Sequence, residues 1–207
     1  MSKVITAKAA AGMVDSGATV VLGGLISLAV PEVVLRSLGA RFAETGLPRD
    51  LTLLAPNRPG WRADPPTGLE HFAQAGMVRR VITSTFSTRD SPRFADMAIK
   101  GGFEAYSYPM GCLFRMIREC AGGSPGFITE VGLNTYVDPA AVDAGSPRVN
   151  AATPESGLVR RMEVDGKPYL FYKTMPVDVA MAASVPSSAA SRISMLVTVG
   201  LPSIGML

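Results

Sequence analysis

A pair of glycines lies where a buried strand gives way to a helix, and this position suits the binding of an anion. Residues 18–22 form a short continuous apolar run, typical of a strand buried on both faces. Gly23-Gly24 follows directly, and Pro31 marks the start of a helix. Backbone N–H groups in such a loop can approach a carboxylate or acyl oxygen. The two glycines alone leave an ordinary tight turn as the alternative.

Few side chains stand out from the sequence as a candidate base, nucleophile or site-lining residue. His71 is the only histidine, and on a predicted helix it is interpreted as a surface or packing residue. Glu130 lies near Gly132, a setting that superficially resembles that of a glutamate nucleophile. Arg58 and Trp61 lie in a long proline-rich loop, which either lines a site or faces solvent.

Composition narrows the class of protein. The 207 residues are 47% hydrophobic and 18% charged, so the apolar surplus must be hidden in a core or at a subunit interface. The net charge is +3, but the basic residues are scattered and form no block. Nucleic-acid binding is therefore not expected, and the mild basicity suits a small anionic ligand.

The cysteines and the apolar segments indicate neither a metal site nor a membrane protein. Cys112 and Cys120 lie eight apart on a predicted helix, so we expect reduced thiols, no zinc and no other metal. Residues 193–207 are uncharged but shorter than the ~20 apolar residues that a membrane span needs. The N-terminal segment lacks the features of a signal peptide. A cytoplasmic protein is expected.

The elements around the glycines alternate between strand and helix. Apolar runs predict strands at 18–22, 51–54, 81–83 and 103–106. Helical spacing and glycine stops predict helices at 6–16, from Pro31 to about Gly46, 68–76, 92–99 and 110–121. This repeated order predicts an α/β fold, with a mostly parallel sheet and helices on both faces.

The last third of the sequence follows a different pattern. Asp165-Gly166 separates two β-like runs, which predicts a β-hairpin over about 158–173. Residues 177–180 are interpreted as one more buried strand. The remaining residues, 181–207, show no period and cannot be placed on the scaffold.

Several segments resemble family I coenzyme A transferases in order and spacing. Residues 16–31 resemble the family signature, an Asx-Gly, an apolar strand, Gly-Gly-Phe and Gly-x-Pro, with departures at Ser16, Leu25 and Ala29. Five further segments continue the resemblance in register: 48–53, 68–82, 104–111, 124–139 and 165–173. The chain is identified as the N-terminal, α-type half, closest to the acetate, propionate and 3-ketoacid branch.

The resemblance implies a fold like that of the coenzyme A (CoA) transferases. It also implies the transfer of CoA from a short acyl-CoA to a carboxylic acid. In the family a glutamate attacks the thioester and passes through an anhydride to a glutamyl-CoA thioester. That glutamate belongs to the C-terminal half, so no catalytic residue is expected in this chain. The expected partner is a β-type half or further copies in a homo-oligomer. A CoA thioester is the expected substrate, with no permanently bound cofactor.

The resemblance also selects the candidate site residues. Gly23 and Gly24 would form a loop that binds the substrate and the oxyanion. Met110 and Gly111 are the other two candidate residues of this substrate and oxyanion site. Relatives carry glutamine at the position of Met110, whose side chain has no N–H donor. Glu130 matches a non-catalytic segment of the family and is not selected as the nucleophile.

The residues after about 180 leave several interpretations of the chain open. The resemblance ends near residue 180, which predicts an α-type domain over 1–180 and a divergent tail over 181–207. An altered reading frame, a truncated gene and a short α subunit with an unusual tail all remain open. So do two rival functions, a CoA-thioester hydrolase-like or lyase-type enzyme on the same fold and an inactive fragment or interaction subunit.

Overall fold

The apolar runs of the sequence assemble into a central sheet and a smaller second sheet. The computed structural model describes residues 4–141, 144–184 and 194–199. In chain order the strands are β1 (Thr19–Leu22), β2 (Leu51–Ala55), β3 (Val78–Thr83), β4 (Glu104–Ser107), β5 (Gly126–Thr129), β6 (Val159–Val164), β7 (Lys167–Lys173), β8 (Val179–Ser184) and β9 (Ser194–Val199). The central sheet has the order β4-β3-β2-β1-β8-β9. Its first five strands are parallel and β9 runs antiparallel to β8.

Most of the parallel strands are connected by helices, while one helix precedes β1 and another leads to the smaller sheet. The helices are α1 (Ala7–Gly12), α2 (Glu32–Thr45), α3 (Pro92–Ile99) and α4 (Met110–Ala121), with a 3₁₀ helix at Gly68–Phe72. Thr6 caps α1 through a hydrogen bond that Ala9 N donates to Thr6 Oγ1 at 3.1 Å. Gly46 ends α2 in the left-handed conformation, at φ 69°. No helix in the described ranges is long and apolar enough to span a membrane.

Two predicted helices differ from those observed. α1 is shorter than the predicted 6–16, because the chain turns at Gly17, which has φ 80°. The predicted helix over 68–76 is a single 3₁₀ turn. That segment is tied at both ends, since Leu69 N donates to Pro59 O at 2.9 Å and Gln74 Nε2 donates to Gly39 O at 3.0 Å. A longer α-helix does not fit between these anchors.

Both faces of the central sheet are buried, as expected for parallel strands. Val20 and Leu22 belong to a core shared with α1, α2, the 3₁₀ helix and α3. Val21, between them, belongs to a second core shared with α4 and the smaller sheet. Alternate residues of one strand therefore face different layers, and the predicted α/β fold with helices on both faces is confirmed.

The smaller sheet has the strand order β5-β7-β6 and is antiparallel. Its β6–β7 hairpin confirms the predicted one, with Asp165 and Gly166 in the turn at φ 51° and 73°. β5 was not predicted. It is a strand through its pairing with β7, more than 40 positions later in the sequence.

The strand predicted at 177–180 is β8, two residues later than expected. It pairs with β1, and beside that pair Thr19 N donates to Asp178 Oδ2 at 2.8 Å. Part of the segment that could not be placed from sequence forms β9, which pairs with β8. Residues 185–193 and 200–207 of that segment lie outside the described residues. The domain boundary at 180 stays a prediction.

The outer edge of β4 is covered by a loop. Val149 N donates to Ala105 O at 2.9 Å, and Ser107 N donates to Pro147 O at 2.8 Å. Asn150 ties the same loop to α3 through Nδ2, which donates to Ala98 O at 2.7 Å. This edge of the sheet is therefore closed to pairing with another chain.

Asp138 organises the turn that follows β5. Its side chain is fully buried and accepts from Asn134 N at 2.9 Å, Ala140 N at 3.0 Å and Arg161 Nη1 at 2.8 Å. Burial alone would raise the pKa of Asp138, but the two N–H donors and Arg161 outweigh it and lower the pKa.

We expect Asp138→Asn to remove part of the acid sensitivity of the fold. Because the folded-state pKa is depressed, this carboxylate stabilises the protein above its unfolded pKa of about 3.9. That contribution is lost as the pH falls through the folded-state pKa. Urea unfolding from pH 7 to pH 2.5 should show a cost of about 1–3 kcal/mol for the variant at pH 7 and a smaller one at low pH. The exposed Asp96→Asn is the control, and parallel stability curves for Asp138→Asn and wild type would contradict the assignment.

Candidate functional site

The two glycines after β1 lie at the carboxyl edge of the parallel sheet, at the point where the strand order reverses. β2, β3 and β4 extend from one side of β1, and β8 lies on the other side. In open α/β sheets, ligands bind in the crevice outside the carboxyl ends of the strands at such a point. Gly23 and Gly24 thus lie where the topology itself predicts a ligand.

The backbone at this position tolerates little besides glycine. Gly23 N donates to Met181 O at 2.8 Å, and a Cβ on Gly23 would lie 3.2 Å from Ala182 Cβ. Gly24 has φ 101°, and a Cβ there would lie 2.8 Å from Val30 Cγ2. Because Gly23 N–H is used to hold β8, only Gly24 N–H makes no hydrogen bond within the described residues and is left for a ligand.

The loop after β1 is fixed to the loop after β2. Ile26 N donates to Arg58 O at 3.1 Å, and Gly60 N donates to Ile26 O at 2.7 Å. Both loops carry exposed apolar side chains, with Leu28 69% and Trp61 45% exposed. The two loops therefore form one connected rim at the carboxyl edge.

Asn57 is a polar residue of this rim that the sequence analysis missed. β1 ends at Leu22 and its neighbour β2 ends at Ala55, so Gly24 and Asn57 each lie two residues beyond the carboxyl ends of adjacent strands. Asn57 Oδ1 is buried without a hydrogen-bond partner in the described residues, whereas its Nδ2 is not buried and donates no hydrogen bond there. A single asparagine in a proline-rich loop has no sequence pattern, and only the strand pairing reveals its position.

Arg58 lies next to Asn57 and is held by an acidic residue. It forms an ion pair with Asp90, which also accepts from Ser87 Oγ at 2.9 Å. Asp90 is 8% exposed, so its charge requires such a partner. Arg58 therefore has a structural contact, while Trp61, from the same loop, remains partly exposed.

Met110 and Gly111 lie at the same edge of the sheet but apart from the glycine loop. They form the first turn of α4, directly after β4. Met110 is 48% exposed, and nothing lies within 4 Å of a Cβ added at Gly111. β4 is three strand positions from β1, roughly 14 Å at the usual strand spacing. The candidate residues thus form two groups at the same edge, one after β1 and one after β4.

His71 is buried rather than free at the surface. It lies on the 3₁₀ helix, and its Nε2 is 2.6 Å from Glu32 Oε1. Gly68 N donates to the other oxygen of Glu32 at 2.9 Å. Burial alone would raise the pKa of Glu32, but the hydrogen bonds from His71 and Gly68 outweigh it and lower the pKa. The packing interpretation of His71 is supported, since it joins the start of α2 to the 3₁₀ helix.

The remaining residues singled out in the sequence are Glu130 and the two cysteines. Glu130 is exposed in the turn after β5, and the expectation that this chain lacks the catalytic glutamate stays a prediction. Cys112 is buried, and Cys120 Sγ donates to Met175 O at 3.0 Å. Both are free thiols, as predicted.

An open parallel sheet with a glycine loop at its switch point is the architecture of an α/β enzyme domain. Residues 4–203 match the family model described as "Coenzyme A transferase". The chain belongs to the coenzyme A transferase family.

Known proteins with the same fold support this assignment. The chain is 36% identical over 186 residues to caffeate CoA-transferase of Acetobacterium woodii, covering 87% of this chain and 33% of that protein. It is 32% identical over 178 residues to acetate CoA-transferase YdiF of Escherichia coli O157:H7, covering 86% of this chain and 32% of that protein. The crystal structure of that enzyme as a thioester complex with CoA superposes with a TM-score of 0.76 and 29% identity, over 85% of this chain and 33% of that one.

The length of the match differs among the relatives. The chain spans about a third of the length of the two full-length transferases. It is also 28% identical over 180 residues to acetate CoA-transferase subunit alpha of Escherichia coli strain K12, covering 87% of this chain and 69% of that subunit. The matched region therefore corresponds in extent to most of a separate α subunit.

Proposed function

We propose that this chain is the α half of a CoA transferase that moves CoA from a short acyl-CoA to a carboxylic acid. Its family supports the reaction class, and the separate α subunit among its relatives supports the half-length organisation. The observation that carries the proposal is the glycine loop at the switch point of the sheet, with the N–H of Gly24 uncommitted and Asn57 in the loop after the neighbouring strand. A β-type half would bring the catalytic glutamate.

The proposed reaction proceeds through acyl exchange on that glutamate. Its carboxylate attacks the thioester carbonyl, the C–S bond breaks, and an acyl-glutamyl anhydride and the CoA thiolate form. The thiolate then attacks the glutamyl carbonyl and releases the acyl group as a carboxylate. The acceptor carboxylate then attacks the glutamyl-CoA thioester and releases the CoA thiolate. The thiolate attacks the acceptor's carbonyl in the new anhydride, which frees the glutamate and gives the acceptor's CoA thioester. Each attack places negative charge on a carbonyl oxygen, which needs donors fixed in advance.

This chain would supply such donors. Gly24 N–H and the Nδ2 of Asn57 both lie at the carboxyl edge and donate to nothing else among the described residues. Met110 cannot donate from its side chain, so the glutamine of the family pattern has no equivalent there. We assign the side-chain donor role to Asn57, because it follows β2, the strand next to β1, whereas Met110 follows β4, three strand positions away.

The methionine at position 110, where the family pattern has glutamine, also favours a second candidate reaction, hydrolysis of the thioester. Transfer to water instead of a carboxylic acid would make the enzyme a CoA-thioester hydrolase. The two reactions differ in a single product, because hydrolysis releases free thiol without an acceptor acid. Placement in the cytoplasm and the identity of the oligomer stay predictions.

The test is CoA exchange from acetyl-CoA or propionyl-CoA to a panel of short carboxylic acids. The chain is assayed alone, with the product of the next downstream reading frame, and with that product after its candidate glutamate is changed to glutamine. We expect exchange only when the chain is combined with the unaltered downstream product. Exchange by the chain alone would contradict the need for a β half. Thiol release without an acceptor would replace the transferase with the hydrolase, and no reaction in any mixture would favour the inactive fragment.

A further inference from the structure

A cavity of about 440 Å³ opens between α2, the 3₁₀ helix and the start of α3. Three arginines line it, each from a different element: Arg36 from α2, Arg62 from the loop after β2 and Arg93 from α3. A volume in this range suits a small ligand. Convergence of guanidinium groups from separate elements suits an anionic one.

The two carboxylates of the cavity are already committed to other partners. Glu70 is fully buried, and its oxygens accept from Arg93 Nε at 2.7 Å and Phe94 N at 3.0 Å. Glu32 accepts from Gly68 N and contacts His71. The acceptors of the cavity are therefore satisfied, and the groups left over are donors.

Arg62 is presented by a loop of fixed shape. The buried Thr67 closes this loop, since its Oγ1 accepts from Trp61 N at 3.0 Å and Arg62 N at 3.2 Å and donates to Arg62 O at 3.1 Å. The guanidinium of Arg62 lies over the Trp61 ring, 4.3 Å from its centroid. Fixing the backbone and the side chain in this way lowers the entropy lost when an anion binds.

Arg36 and Arg62 make no ion pair or hydrogen bond through their guanidinium groups within the described residues. Arg36 interacts with Glu32 only through longer-range electrostatics. Arg93 keeps contacts with Glu70 and with Ala63 O, the latter at 3.0 Å. Three guanidinium groups against two carboxylates give the cavity a cationic surplus even when His71 is neutral.

We propose that this cavity is a binding site for a phosphate group. Planar guanidinium groups bind phosphate oxygens in pairs, and the two uncommitted arginines supply the donors. Two sources offer the same chemistry: free inorganic phosphate or diphosphate, and the phosphorylated nucleotide part of CoA. The site stands on its own contacts and does not depend on the proposed transferase reaction.

The test is calorimetric titration of the chain with inorganic diphosphate at constant ionic strength. We expect saturable binding of diphosphate to the wild-type chain. The affinity of Arg36→Gln/Arg62→Gln should be at least about tenfold weaker, since the loss of one hydrogen bond to a charged group already lowers affinity by about that factor. The control is Arg115→Gln/Arg118→Gln on α4, which removes the same charge from the opposite face of the sheet. We expect its affinity to stay within about twofold of wild type.

The outcomes separate the proposal from general charge attraction and from the transferase reaction. Equal weakening in both double variants, or no saturable binding to wild type, would overturn it. Displacement of diphosphate by CoA but not by pantetheine, which has no phosphate, would support the nucleotide as the source. Failure of CoA to displace it would support the free anion. None of these titrations requires CoA exchange, so their results can be interpreted even if the transferase assay is negative.

Discussion

Asn57→Ala should lower the turnover of the two-half enzyme by about 10²–10³-fold while leaving the fold intact. The loss is that of one preorganised donor to a developing oxyanion. The fold should tolerate the change, because Asn57 Oδ1 is buried without a partner in the described residues and its removal leaves no bonded group unsatisfied. CoA exchange and urea unfolding of the same preparation would measure both effects, and we expect the unfolding free energy to change by less than about 1 kcal/mol.

Asn150 provides the matched control for that experiment. Its Nδ2 donates to Ala98 O and Phe103 O, and its Oδ1 accepts from Thr153 N and Thr153 Oγ1. Asn150→Ala should therefore cost about 2–3 kcal/mol of stability and leave turnover unchanged in the folded enzyme. If Asn57→Ala instead reduced stability and left turnover at the wild-type level, the donor role would be wrong.

Glu70→Ala is expected to be the most destabilising of the substitutions considered. The carboxylate is fully buried and holds both Arg93 Nε and the backbone N of Phe94 at the start of α3. Its removal leaves the buried Phe94 N–H without an acceptor and opens a cavity between α3 and the 3₁₀ helix. Because Arg93 is partly solvent-exposed, we expect a loss of about 3 kcal/mol rather than the larger value of a fully buried pair. Urea unfolding measures it.

An exposed ion pair at the end of α3 is the comparison for Glu70. Asp96 pairs with Lys100 at 2.8 Å, with both side chains more than half exposed. Asp96→Ala should change the unfolding free energy by no more than about 0.5 kcal/mol. Similar losses for the two variants would show that burial of Glu70 contributes nothing to its effect.

Local sequence patterns were sufficient for the elements that positioned the glycine loop. The apolar run before Gly23 is long enough to be recognised as a strand, and the glycines that follow it mark the loop. Helix α4 runs from Met110 to Ala121, as its spacing and the terminal Gly122 predicted. The Asp165-Gly166 turn likewise encodes its hairpin locally, because both residues need positive φ.

Elements defined by distant partners could not be predicted in the same way. β5 is a strand only because β7 pairs with it, and the 3₁₀ helix is short because contacts with Pro59 and Gly39 restrict it. Asn57 has no motif around it, and its candidate role follows from the pairing of β2 with β1, the strand that leads into Gly24. The buried environment of Glu70 depends on a helix that begins more than 20 residues later.

The pairing of β1 with β8 has a consequence for how the chain acquires its structure during synthesis. Thr19 and Asp178, which join these strands, are 159 residues apart. Until residue 184 has left the ribosome, β1 can pair only with β2, and its other edge offers unpaired N–H and C=O groups. Such high contact order slows folding and prolongs the exposure of that edge. Nascent chains that stop before Val179 should therefore be the species that chaperones bind and that aggregate first.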